Sequence, residues 1–204
     1  MDFSETRCEV FQADDKTNLL ARIWLPEKKV NAVLIGIHGG LAHGGDWVTP
    51  AKYFQKHGIA TYALDLRWHG TYPQHNKSGK VMFHINSYDE YTADIHAFYL
   101  WVTRQQPDTP VFIISHSNGA LIALKYGLDY AGKTGVRGFI VSSPWLKNKV
   151  KMPALLVKMA GFLSRIVPTM AVTPEDFTDQ LTHDSAITAR HHADEKAGLR
   201  GTKA

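Results

Sequence analysis

Ser117 lies in the stretch Ser115-His116-Ser117-Asn118-Gly119, between an apolar run at residues 111–114 and a helix-compatible stretch that starts near Asn118. A serine on so tight a strand-to-helix turn is held in strained backbone angles, with its Oγ exposed beside the positive end of the following helix, and can act as a nucleophile. Only small residues fit two positions before and after it. Gly119 meets that demand, while Ser115 departs from glycine and is small enough to be tolerated. The strict G-x-S-x-G pattern is not met, so the flanking strand and helix give the motif its weight. The competing reading makes Ser115 and Ser117 turn and N-cap residues without chemistry.

Acyl transfer at such a serine creates an oxyanion that needs two preorganised N–H donors. One comes from the residue after the nucleophile, here Asn118; the other comes from the loop after the third strand. There His38-Gly39-Gly40-Leu41 supplies glycines that let the backbone approach a substrate, and Gly40 is the candidate donor. The alternative for this segment is a plain turn after a strand.

These residues need a rigid frame, and the hydropathy pattern predicts one. Residues 8–13 and 18–25 read as two strands joined by a polar turn at Asp14-Asp15-Lys16. Residues 32–37 and 59–66 are nearly unbroken apolar runs, the mark of strands covered on both faces. Residues 47–57, 88–105 and 118–130 have helical spacing, and residues 110–114 and 136–141 are further strands. The alternation predicts an α/β fold, a mostly parallel sheet with helices on both faces. From Lys147 the pattern changes: Leu155, Met159, Phe162 and Ile166 mark one amphipathic helix, followed by polar, histidine-containing segments without a strand signal. The expected organisation is a core at residues 1–146, a helical cap at 147–194 and a tail at 195–204.

The chain resembles the monoacylglycerol lipase and lysophospholipase group of α/β-hydrolases, which also covers serine aminopeptidase-like chains. The similar stretches are residues 37–47 (Ile37-His38-Gly39-Gly40 to Asp46-Trp47) and 62–70 (Tyr62-Ala63-Leu64-Asp65 to His69-Gly70), then the Ser117 elbow, residues 140–145 and Leu181-Thr182-His183-Asp184. They occur in the right order over residues 8–194. The resemblance implies that Ser117 is the nucleophile, that Gly40 and Asn118 offer the oxyanion N–H groups, and that the cap covers an apolar tunnel for an acyl chain. It implies a carboxylic ester of lipid type as substrate, monoacylglycerol or lysophospholipid, attacked by Ser117 and released through an acyl-enzyme. A peptide or small-ester hydrolase of the same fold is the rival reading. Ser115, Ala120 and Trp68 depart from the residues usual at their positions, which bears on the substrate more than on the reaction.

In this fold the acid and histidine of the triad follow the nucleophile, on loops after two further strands. No such strands are read in residues 195–204, so the chain is expected to be truncated by roughly 70 residues relative to a complete hydrolase of the group. Ser117, Asp184 and His191 fall in the triad's chain order, but the last two lie in cap-like sequence and are not expected to form one. The expected consequences are weak catalysis by the chain alone, an inactive acyl-chain binder as the alternative function, and an apolar sheet edge at residues 136–141 prone to self-association.

Composition limits the other classes. The chain has 204 residues, 44% hydrophobic and 21% charged, as expected for one globular body. A net charge of +4 without a basic block argues against nucleic acid. With Cys8 as the one cysteine no intrachain disulfide is available, and the acidic, polar start lacks a secretory pattern, so a cytoplasmic location is expected. Peripheral membrane contact through the cap helix is the alternative to its packing on the sheet or lining a pocket. Eleven histidines invite a metal reading, through His38 with His43 or His191 with His192, but no zinc-motif spacing is present; no metal and no cofactor are expected. Asp65 and His69 are expected to brace the active-site loops rather than react.

Overall fold

The computed structural model describes residues 4–70, 85–147, 153–167 and 178–194. Most of the polar loop before the helix at residue 88, the start of the predicted cap and the tail from residue 195 lie outside them. The chain opens on an antiparallel hairpin, β1 (Arg7–Gln12) and β2 (Asn18–Trp24). Its turn passes through Lys16 at φ 68° and is fastened by the Thr17 N–H on the Asp15 carboxylate. Next come β3 (Ala32–Ile37), a 3₁₀ turn at Gly44–Trp47, α1 (Val48–Lys56) and β4 (Ile59–Leu64). They are followed by α2 (Tyr88–Gln105), β5 (Val111–His116), α3 (Asn118–Asp129) and β6 (Val136–Ser142).

The six strands form one sheet in the order β1-β2-β4-β3-β5-β6. Strands β3 to β6 run parallel, and β2 joins them antiparallel to β4. Alternation along β4 shows why its apolar run is continuous: Ala60, Tyr62 and Leu64 face a large core with Phe98 and Val102 of α2 and Ile122 and Tyr126 of α3. Ala63 faces the other way, against Trp24, Val48 and Ala51 under α1. Helices thus cover both faces, the α/β architecture that the hydropathy pattern predicts. β4 ends at Leu64, two residues before the expected end, because the Asp65 carboxylate turns onto Arg22 and the Gly44 N–H. The helix expected from residue 47 begins instead as the 3₁₀ turn, whose N-cap is the His43 side chain.

Beyond β6 lie α4 (Ala154–Ile166), α5 (Thr178–Leu181) and α6 (Ser185–Ala193). The histidine-containing stretch that carries no strand signal is helical, with Asp184 as the N-cap of α6. Helix α4 buries none of its residues: Leu155, Met159, Phe162 and Ile166 are 69%, 50%, 61% and 60% exposed. Packing on the sheet, one of the roles expected of this face, is therefore not what the structure shows. Among the described residues no helix is long and apolar enough to cross a membrane.

Candidate active site

The parallel strands end together, and the chemistry predicted from sequence collects at those carboxyl ends. Ser117 joins β5 to α3 at φ 54° and ψ −120°, a region non-glycine residues avoid. The backbone around it is over-determined. The Ser117 N–H donates to the Ser142 carbonyl at 3.0 Å, and its own carbonyl accepts from Ala120, Leu121 and Trp145. Although Ser117 occupies the N-cap position of α3, its side chain caps nothing, in contrast to the plain-cap reading. Gly119 is required for a steric reason: a Cβ there would collide with the carbonyl oxygens of Ile37 and His38, so glycine lets α3 start against the end of β3. Ser115, the departure from glycine, is fully buried and its hydroxyl donates to the Ile140 carbonyl at 3.2 Å. A small polar side chain is accommodated because β6 offers an acceptor.

The glycine loop lies beside this turn. A Cβ on Gly39 would stand 3.3 Å from the Ser117 Cβ, and one on Gly40 would stand 3.9 Å from the Asn118 Cβ. The structure thus brings together the three residues singled out from sequence, Ser117, Gly40 and Asn118. Asn118 is buried, and its side-chain carbonyl accepts from the Tyr88 hydroxyl at 2.9 Å. Tyr88 was not foreseen; at the first position of α2 no local pattern connects it with the elbow.

Two buried ion-pair groups brace the loops behind the site. Arg22 meets Asp65 through two bonds of 2.8 and 3.0 Å and reaches Glu5 at 2.8 Å. Asp65 also accepts the Gly44 N–H at 2.8 Å, which ties the segment after Gly40 to the end of β4. Arg67 bonds Asp94 at 2.6 and 2.7 Å, with Asp15 and Glu90 beside it. The Asp94 bonds raise the Arg67 guanidinium above its usual pKa against the opposing effect of burial. His69 Nδ1 lies 3.0 Å from the Arg67 carbonyl. Asp65 and His69 therefore occupy bracing positions of the kind expected of them.

Two of the histidines suggested as metal ligands, His43 and His192, have other partners. His43 takes the Gly45 N–H on Nδ1 and meets Asp194 at 2.6 Å through Nε2, and His192 meets Asp179 at 2.8 Å. Ligand atoms of His43, Asp46 and Asp194 lie within 4.8 Å of one another, but Asp46 is also held by Arg190 at 3.4 Å. These contacts fasten α6 to the segment after Gly40. Asp184 spends one carboxylate oxygen on the Ala186 and Ile187 N–H groups at the start of α6. That is a capping role at the start of a helix.

A mostly parallel sheet of this order, with a serine in a strained strand-to-helix turn beside a glycine loop, defines an α/β-hydrolase. Residues 28–204 match the serine aminopeptidase, S33 family of hydrolases, and the chain belongs to that family. It is 27% identical over 192 residues to the monoacylglycerol lipase of Mycolicibacterium smegmatis, covering 94% of this chain and 65% of that one. It is 26% identical over 165 residues to phospholipase YtpA of Bacillus subtilis, covering 80% of this chain and 60% of that one. The crystal structure of Paleococcus ferrophilus monoacylglycerol lipase superposes with a TM-score of 0.69 at 20% identity, over 90% of this chain and 68% of that one. The resemblance to the monoacylglycerol lipase and lysophospholipase group is borne out, and the chain spans under two thirds of the length of those two curated relatives.

Proposed function

We propose that the protein is a serine hydrolase that cleaves lipid-type carboxylic esters, monoacylglycerol or lysophospholipid, through an acyl-enzyme on Ser117. The observation that carries this reading is the backbone of Ser117, held at φ 54° between β5 and α3 with the Gly39-Gly40 loop alongside. A turn used only to join a strand to a helix does not require that strain. In the reaction a histidine base takes the Ser117 proton as Oγ attacks the ester carbonyl carbon. The N–H groups of Gly40 and Asn118 receive the oxyanion, the alcohol leaves with the proton, and water then releases the fatty acid. Residues 147–194 act as a cap, and the apolar side chains of α4, Leu155, Met159, Phe162 and Ile166 among them, contact the acyl chain. The named activities of the relatives support the lipid substrate.

Among the described residues the Ser117 hydroxyl has no hydrogen-bonded partner, so the base comes from outside them. Without a base, the oxyanion site and binding alone sustain a residual acceleration of ~10³ to 10⁴ over water. The test is hydrolysis of a medium-chain monoacylglycerol by the purified 204-residue chain beside Ser117→Ala. Turnover well above that control means that a base reaches Ser117 from within the chain or from a partner; equal, near-background rates from two folded proteins leave Ser117 in an unfinished site and overturn catalysis by this chain. The S33 family description favours a second reading, hydrolysis of small esters or peptides, which predicts turnover of short esters or aminoacyl arylamides but not of long monoacylglycerols. The unpartnered Ser117 hydroxyl favours a third, a non-catalytic acyl-chain binder, which predicts fluorescent fatty acid binding without turnover.

A further inference from the structure

In a trans peptide unit the carbonyl of one residue and the N–H of the next point in opposite directions. Fixing the Gly39 carbonyl therefore fixes the Gly40 N–H, and no peptide bond in the described chain is cis. The Gly39 carbonyl oxygen lies 2.7 Å from Nδ1 of His38, whose ring is buried. The other ring nitrogen, Nε2, receives the Leu66 N–H at 3.0 Å. A carbonyl oxygen can only accept and a backbone N–H can only donate, so these partners select one neutral tautomer, protonated on Nδ1 and bare on Nε2. The imidazolium would set N–H against N–H at Leu66. Burial in addition lowers the pKa of His38, outweighing the nearby Asp65 charge.

The sheet order supplies the direction. β3 lies between β4 and β5, and the His38 ring, at the end of β3, reaches across to Leu66 just beyond β4. Ser117 follows β5, on the other side of β3. A Gly39 carbonyl drawn toward the ring leaves the Gly40 N–H directed to the Ser117 side.

We infer that His38 is a positioning residue, whose Nδ1–H, by holding the Gly39 carbonyl, aims the Gly40 N–H at the oxyanion formed on the Ser117 adduct. The inference rests on the reading of Gly40 as an oxyanion donor. His38 touches no reacting atom; it acts through the peptide plane it holds.

Two substitutions separate its roles in the 204-residue chain. His38→Asn keeps an N–H donor where Nδ1 stands, and His38→Gln moves the donor toward the Nε2 position and frees the Gly39 carbonyl. With a short p-nitrophenyl ester and the Ser117→Ala background subtracted, kcat of His38→Gln is expected to fall by ~10² to 10³-fold with KM little changed, the worth of one oxyanion donor. His38→Asn is expected to keep most of the rate. Equal losses in both variants overturn the inference. The ¹⁵N signals of the wild-type ring decide the tautomer with no variant at all, and a proton on Nε2 also overturns it. If the wild type shows no Ser117-dependent turnover, catalysis by this chain fails separately. The Gly40 amide cross-peak then decides the tether: it stays in place in His38→Asn and moves in His38→Gln if the inference holds. Movement in both variants, or in neither, refutes it.

Discussion

Replacing Asp65 by asparagine removes one charge from a buried pair while keeping the side chain's shape. The Arg22 and Asp65 side chains are 5% and 1% exposed. Burial by itself would lower the Arg22 pKa, but the bonds to Asp65 and Glu5 outweigh it and hold the guanidinium above its usual value. Without the Asp65 charge Arg22 still stays charged, because a guanidinium does not deprotonate inside a protein. The new amide must also turn its NH₂ either toward Arg22 Nη2 or toward Arg22 Nε and the Gly44 N–H together, and all of these are donors. Breaking a buried pair costs ~3–5 kcal/mol. Glu5 remains on Arg22 at 2.8 Å, which places the expectation near the low end, about 3 kcal/mol. That is a large share of the ~5–15 kcal/mol typical of a domain. At ~2–4 °C per kcal/mol for a chain of this size, Tm falls by roughly 6–12 °C. Urea unfolding followed by tryptophan fluorescence reads the change as a shift in midpoint at constant slope. Arg22→Met combined with Asp65→Leu removes both charges and should recover much of the loss. An Asp65→Asn variant within about 1 kcal/mol of wild type, the range of an exposed pair, would refute the reasoning. So would a double variant less stable than the single one.

Other outcomes follow from the same contacts. His38 is buried with its pKa lowered, so in the window below the unfolded value of about 6.5 the unfolded chain binds the proton and the folded one does not. Its contribution to stability is present above that pH and is lost as pH falls toward the folded pKa, at up to about 1.4 kcal/mol per unit. Urea titrations at pH 7.5 and 5.5 should show a shallower acid loss in His38→Asn than in wild type. Gly119→Ala forces a Cβ onto the carbonyls of Ile37 and His38, which are backbone and cannot rotate away. Overpacking of ~1–3 kcal/mol in unfolding free energy is expected, together with loss of Ser117-dependent ester turnover. Among the described strands β6 is paired on one side only, with Phe139 and Ile140 exposed. Light scattering should report self-association that rises with concentration and falls in Ile140→Lys; a clean monomer at high concentration goes against this.

The legible parts of this chain are those whose cause is local. A covered strand must be apolar on both faces, and a strand that must turn at once into a helix needs small residues around its apex. The apolar runs of β3 and β4 and the Ser117 elbow follow from such constraints over a few residues. The bracing is not local: Arg22 meets Asp65 43 positions away, Arg67 meets Asp94 27 away, and His43 meets Asp194 151 away. Arg22 still carried a signal, because a charge inside an otherwise apolar strand demands a partner. Among 19 acidic residues the partner becomes definite only with the strand order, which sets the end of β4 beside β2. The same dependence explains Ser115. As a letter it weakens the motif, and only the β6 carbonyl of Ile140 beside it shows how the departure is accommodated. His38 combines both cases. Its place before two glycines is visible in the chain, but its use of both ring nitrogens depends on Leu66, which the order of the parallel strands brings within reach.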